Sequence, residues 1–346
     1  MTLPSRRRLW IFGTLYVVAL LGLSEIAARA VLPPPGFNPW PPAHVPGLRV
    51  PHPVLGFAHR PNFTGQRTTA EYTHELATNA LGMRDSPFVP GDERPWLAIG
   101  DSFTEGLGVG QDEAWPTQLA QRLGTRVLNG GVTAYSLRQM RLAAMEWLPI
   151  VQPRGVIVGL YPLGASRLID PYVLVGDDTV RQSVASRLSP LPGGYYDSGF
   201  YQPGVMTLHR WLSEHAQLAA HVLTLLQRAR TAIAPEVAPP APLEPTLTTA
   251  LLDELEQTYR VLRASHVTLV ILLVNAPGRD GRWPTLSELP ERLAAFAERP
   301  GVLFVDPEPT LRDAMASGLP IAYVRDGHWT ASGHRLVAEV LAARLR

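Results

Sequence analysis

The chain has 346 residues, 46% of them hydrophobic, enough to bury a substantial core as one large domain or two small ones; disorder and a disulfide miniature are excluded. Its 31 basic and 30 acidic residues leave a formal charge of +1, so no global field recruits nucleic acid, and arginine carries all of the basic charge because there is no lysine. The absence of cysteine excludes a disulfide, a thiolate nucleophile, Cys-ligated zinc and lipid attachment through cysteine.

At the N-terminus Arg6, Arg7 and Arg8 precede an apolar run over 9–23, and "SEIAARAVL" extends it with only Glu25 and Arg29 charged. Together these residues are long enough for a helix that spans a bilayer, and basic residues ahead of the run put the N-terminus in the cytoplasm and the rest outside. Cleavage as a signal peptide is the competing reading, since "ARA" at 28–30 has small residues at the right spacing. We favour a retained single-pass anchor over 1–32, because apolar character resumes after Arg29 and then gives way to a proline-rich stretch.

Residues 33–55 hold too many prolines for a helix or a central strand and read as a stiff extended stem. Residues 56–94, with "TNALGMRD" at 78–85, read as short strands and turns forming a small N-terminal extension. From 95 to 346, continuous apolar runs at 96–99, 126–128, 155–160, 267–274 and 302–305 alternate with helical patterns at 113–123, 137–148 and 247–264. Unalternating strands separated by helices predict a parallel sheet of about five strands covered on both faces, a three-layer α/β/α sandwich. An insertion at about 170–245, with a helix near 208–232, interrupts the rhythm as a lid or a decorated loop.

The chemistry concentrates in "LAIGDSFTEGLGVG" at 97–110. A P-loop needs a lysine that is absent, the glycine spacing does not fit the dinucleotide fingerprint, and Thr104 stands where a nucleophile elbow needs its second glycine. What remains is a strand ending at Ile99, a turn at Gly100, and Ser102 entering a helix at the carboxyl end of a parallel strand, where open α/β sheets bind ligands. Ser102 there suits either an N-cap or a nucleophile whose attack creates an oxyanion. A hydroxyl needs a base and the base an orienting group, and "RDGHWTASGH" offers Asp326 two residues before His328 in a loop that leads into the final helix.

These pieces resemble the SGNH hydrolases, the GDSL-like esterases and lipases. "GDSFTEG" at 100–106, "LNGGVTAYS" at 128–136, "VIVGLYPLGAS" at 156–166 and "DGHWTASGH" at 326–334 come in the family's order over roughly 95–346. The resemblance implies an SGNH, flavodoxin-like fold with Ser102 as nucleophile, His328 as general base and acid, and Asp326 as its orienter. It also implies an oxyanion hole of the Ser102 and Gly131 backbone N–H groups, and "TNALGMRD" looks like the extension of membrane-anchored bacterial members. The chain departs from the family at Ala165, where an asparagine donor is expected; such a loss typically costs about 2.7 to 4 kcal/mol of transition-state stabilisation. Ser166 or Asn129 substitutes, the hole runs on two backbone donors, or the protein is a weakened or specialised relative.

The expected activity is hydrolysis of a carboxylic ester on a glycan, a lipid or a small molecule, through an acyl-enzyme. O-acyl transfer to an extracellular polysaccharide, or non-catalytic binding of the envelope, are the alternatives. No cofactor, metal or nucleic acid is expected; His209, His215 and His221 recur every six residues, which turns successive side chains by about 240° and spreads them around a helix. His334 reads as a packing or capping residue, and Trp329 as the tryptophan whose place argues for the site.

Overall fold

The computed structural model describes residues 6–31, 47–69, 71–91, 94–168, 245–278, 281–324 and 326–346, together with Val45 and short pieces between 172 and 222. The chain divides into two compact units, one of residues 1–41, 68–70 and 202–236, the other of 42–67, 71–201 and 237–346. In the first, α1 (Arg6–Val31) contains a 22-residue stretch, Trp10–Val31, of mean hydropathy 1.9, long and apolar enough to cross a membrane; a signal sequence shares that character. Most of the helix expected near 208–232, with His209, His215 and His221, lies outside the described residues, as do 32–44 of the expected stem.

The second unit opens with two small antiparallel ribbons, β1 (Arg49–His52) with β2 (Gly56–His59), and β3 (Thr64–Thr68) with β4 (Thr73–Ala77). This corrects the stem boundary: residues 49–52, assigned to the stem, form a strand, and the compact unit starts at 42. Proline content misled there, because Pro51 sits opposite Phe57 in a two-stranded ribbon, and an edge strand tolerates a residue without an N–H.

The α/β core follows, with β5 (Trp96–Gly100), α2 (Ser102–Glu105), α3 (Trp115–Leu123), β6 (Val127–Gly131), α4 (Leu137–Val151) and β7 (Gly155–Leu160). A 3-10 segment at Pro162–Leu168 leads to two hairpins, β8 (Tyr172–Val175) with β9 (Thr179–Gln182), and β10 (Leu188–Leu191) with β11 (Tyr195–Ser198). The core resumes with α5 (Pro245–Ala264), β12 (Thr268–Leu273), α6 (Leu289–Phe296), β13 (Val302–Val305), α7 (Glu308–Ala316) and α8 (Ala331–Leu345).

Five strands form one parallel sheet in the order β13-β12-β7-β5-β6. Successive strand residues feed opposite layers. Leu97, Ile99, Val156, Val158 and Leu269 pack with α4, α5 and α6, whereas Trp96, Ala98, Ile157 and Val270 pack with α3, α7 and α8. Burial on both faces explains the unbroken apolar runs, each fully buried leucine-sized side chain contributing about 1.5–3 kcal/mol. The three-layer α/β/α sandwich read from the sequence is therefore the fold. The chain leaves β5 for β6 on one side and crosses to β7 on the other, so the carboxyl ends of β5 and β7 frame the switch point at which such sheets take ligands.

Candidate active site

Three glycines prepare the floor of this switch point. Gly100 is in register with Gly131 of β6 and Gly159 of β7, so a row without side chains crosses the ends of three strands. A Cβ at Gly131 would lie 2.2 Å from the Glu105 backbone nitrogen, and one at Gly159 would lie 2.3 Å from Thr104 Oγ1. The one-turn helix α2 settles into that space. Asp101 caps it, Oδ1 accepting from the Phe103 N–H at 3.1 Å, and Ser102 occupies its first turn, 5% exposed.

The opposite wall is the loop before α8. Trp329 is fully buried, its indole N–H donates to the Asn275 carbonyl at 3.1 Å, and Ala322 bridges Trp329 in antiparallel fashion. The Tyr323 N–H donates to the His328 carbonyl and the Gly327 N–H to the Tyr323 carbonyl, both at 2.8 Å, with Gly327 at a φ of 82°. This tight turn sets Asp326 and His328 side by side, and Thr330 caps α8 behind them.

The two walls meet. Ser102 Oγ lies 2.7 Å from His328 Nε2, and His328 Nδ1 lies 2.6 Å from Asp326 Oδ1. The His328 ring stacks at 4.6 Å on Phe103, which also packs against Trp329. Burial alone would raise the Asp326 pKa, but the hydrogen bonds from His328 and Tyr72 and the Arg67 charge hold it below the ordinary carboxylate range.

The remaining sequence candidates are placed differently. The Gly131 N–H, assigned to an oxyanion hole, donates instead to Asn129 Oδ1 at 3.0 Å, because Gly131 lies beneath α2. The Asn129 amide donates to the Glu105 carbonyl at 3.3 Å, so this side chain ties β6 to α2 and does not turn to Ser102. Ala165 is buried in the core, and Ser166 follows it in the 3-10 segment.

Several neighbours of the site escaped sequence reasoning. Ala134, just beyond β6, has a φ of 76°, unusual for a residue with a side chain, and its N–H has no hydrogen-bond partner among the described residues. Arg167 Nη1 donates to Asp101 Oδ2 at 2.8 Å and to the Tyr135 carbonyl at 3.2 Å, bridging the residue before Ser102 and the residue after Ala134. Tyr72 donates to Asp326 Oδ2, and Glu71 accepts the Asp326 backbone N–H at 2.8 Å.

"TNALGMRD" acquires a physical role here. Asn79 Oδ1 accepts the N–H groups of Leu81 and Met83, a local turn that delivers Arg84 to the carbonyls of Glu105, Gly106 and Val109 at 2.7–2.8 Å. Asp85 accepts the Asn129 N–H at 2.9 Å, so the motif holds both α2 and β6. Below α2 the fully buried Glu105 carboxylate meets Arg67 Nη1 at 2.7 Å, His59 Nε2 at 3.4 Å and the Thr133 N–H at 2.7 Å. Burial would raise its pKa, but Arg67 and His59 outweigh burial and hold it well below the ordinary range.

No protein-family model matches the chain, and no curated protein does. Among solved structures it is similar to a protein of the G-D-S-L family from Desulfitobacterium hafniense, 14% identical, with a TM-score of 0.43, over 73% of this chain and 100% of that one. A GDSL-like lipase from Bacteroides thetaiotaomicron is 12% identical, with a TM-score of 0.39, over 74% of this chain and 89% of that one. A catalytic mutant of an acetylxylan esterase from Geobacillus stearothermophilus is 15% identical, with a TM-score of 0.38, over 74% and 95%.

Proposed function

We propose that the protein is a serine esterase of the SGNH type, anchored in the cell membrane by α1 with its catalytic unit on the extracytoplasmic side, and acting on esters of an acylated glycan, a lipid or a small molecule. The observation that carries this reading is the unbroken hydrogen-bond line from Ser102 through His328 to Asp326 at the carboxyl edge of the sheet. Ser102 Oγ attacks the ester carbonyl while His328 Nε2 takes its proton, and Asp326 holds the Nδ1–H and stabilises the imidazolium. The C–O bond then breaks, His328 returns the proton to the departing alcohol, and water repeats the cycle on the acyl-enzyme to release the acid. For the oxyanion we assign the N–H of Ser102 and, in place of Gly131, the N–H of Ala134, with the Arg167 guanidinium tying together the residues next to each, Asp101 and Tyr135.

The test is labelling with a fluorophosphonate probe in membranes that contain the full chain. Wild type should give a labelled band of full-chain size in the membrane pellet, and Ser102→Ala should give none while still folding. An unlabelled wild type would refute the nucleophile, and a shortened, soluble labelled band would replace the anchor with a cleaved leader. Comparing hydrolysis of a small acetyl ester with acetyl transfer to an oligosaccharide then separates esterase from O-acyltransferase.

A further inference from the structure

We propose that Tyr72, from the ribbon segment ahead of the α/β core, is a positioning residue that fixes the Asp326 carboxylate for His328; the proposal rests on the triad reading above. The two carboxylate oxygens have separate tasks. Oδ1 lies 2.6 Å from His328 Nδ1, and Oδ2 accepts from the Tyr72 hydroxyl. A carboxylate held by one donor can pivot about its Cβ–Cγ bond, whereas donors on both oxygens fix its plane. The neighbouring residue completes the grip, since Glu71 Oε2 accepts the Asp326 N–H at 2.8 Å.

Tyr72 is itself well held. It is 8% exposed, and its ring packs 4.9 Å from Tyr323 and 5.6 Å from His74. A phenol supplies a donor without adding charge. Its hydrogen bond therefore steadies the anion while leaving it able to stabilise an imidazolium, which a second cation at that oxygen would weaken. Among the described residues, the charged and titratable groups facing Asp326 are His328 and Tyr72, with Glu71 on its backbone and Arg67 further off; Tyr323 borders the same turn, with Glu113 beyond it.

Removing the phenol oxygen leaves Asp326 less stabilised as an anion and more attractive to protons, so the His328 imidazolium becomes easier to form. With one donor left, the carboxylate is free to pivot away from His328 Nδ1, so Tyr72→Phe should slow Ser102 labelling about tenfold at neutral pH, the order expected on losing a hydrogen bond to a charged group. It should also move the acid limb of the labelling-rate profile to higher pH. The experiment measures labelling rate against pH for the full chain in wild type, Tyr72→Phe, Asp326→Asn and the double variant, each checked for its melting midpoint. If Tyr72 acts through Asp326, its removal has little further effect in the Asp326→Asn background. An equal loss in both backgrounds would reveal general loosening and overturn the proposal, as would a wild-type rate with an unmoved acid limb in Tyr72→Phe. A wild type that is never labelled at Ser102 would instead overturn the triad reading on which the proposal stands.

Discussion

Replacing His74 or His334 by glutamine should flatten the loss of stability that this protein undergoes between pH 7 and about pH 4.5. Both rings are buried, and the His334 Nδ1 accepts the Trp115 N–H at 3.3 Å while its ring stands edge-on to Trp329. Burial, reinforced by the Arg84 charge, lowers each pKa from 6.5 to about 3. Between those values the unfolded chain binds a proton that the folded protein refuses, so stability falls as pH falls, beginning near 6.5. Each pH unit in that interval costs about 1.4 kcal/mol per histidine, so two units cost about 3 kcal/mol for each ring, a large share of a typical 5–15 kcal/mol. Glu105 enters later, because a carboxylate held well below the ordinary value of 4.5 loses stabilising power only as pH falls beneath that value. Asp85 and Asp306, pushed up by burial, act in the opposite sense and are common to wild type and variants. The assay is urea unfolding at half-unit pH intervals, comparing the slope of ΔG against pH rather than its absolute value. An unchanged slope between pH 6.5 and 4.5 in the double variant would refute the claim that these rings are buried neutral.

Arg67→Met removes the charge partner of a carboxylate with no access to water, and should destabilise the fold by about 3–5 kcal/mol in urea unfolding at neutral pH. Adding Glu105→Gln should recover part of that loss; a double variant no more stable than the single would show that the ion pair is not the cause. Gly131→Ala puts a methyl 2.2 Å from the Glu105 nitrogen, a clash with backbone that no side-chain rotation relieves. It should lower stability by about 1–3 kcal/mol and slow Ser102 labelling together, as α2 is lifted from the strand ends. Retained labelling in a destabilised Gly131→Ala would separate the floor from the nucleophile.

The sandwich was legible because each central strand is buried on both faces and so must be continuously apolar. Ser102, Asp326 and His328 were legible because each lies within a short stretch whose spacing has a chemical reason. The rest depended on contacts with no local signature. Tyr72 and Asp326 are 254 residues apart, and nothing in "EYTHE" announces a partner in the loop ahead of the last helix. Gly131 was ambiguous because a glycine in a strand end fits two needs, an exposed N–H or a missing Cβ; here α2 fills the place of the Cβ and the N–H turns to Asn129. The unbonded N–H at Ala134 depends on a left-handed φ that sequence does not favour for alanine. Arg167 resembled any surface arginine until its neighbours at Asp101 and Tyr135 were on view.

Arg84, Tyr72 and Glu71 all reach the site from the segment ahead of the sheet, which sets a limit on how this chain can be shortened. Removal of α1 and the residues up to about 41 leaves the second unit whole, because that unit begins at 42. A cut at the start of the α/β core would take away the clamp on α2 and the second hand on Asp326 at once. Fragments starting near residue 95 should therefore melt lower than ones starting near residue 42 and should lose the alignment of Asp326 with His328.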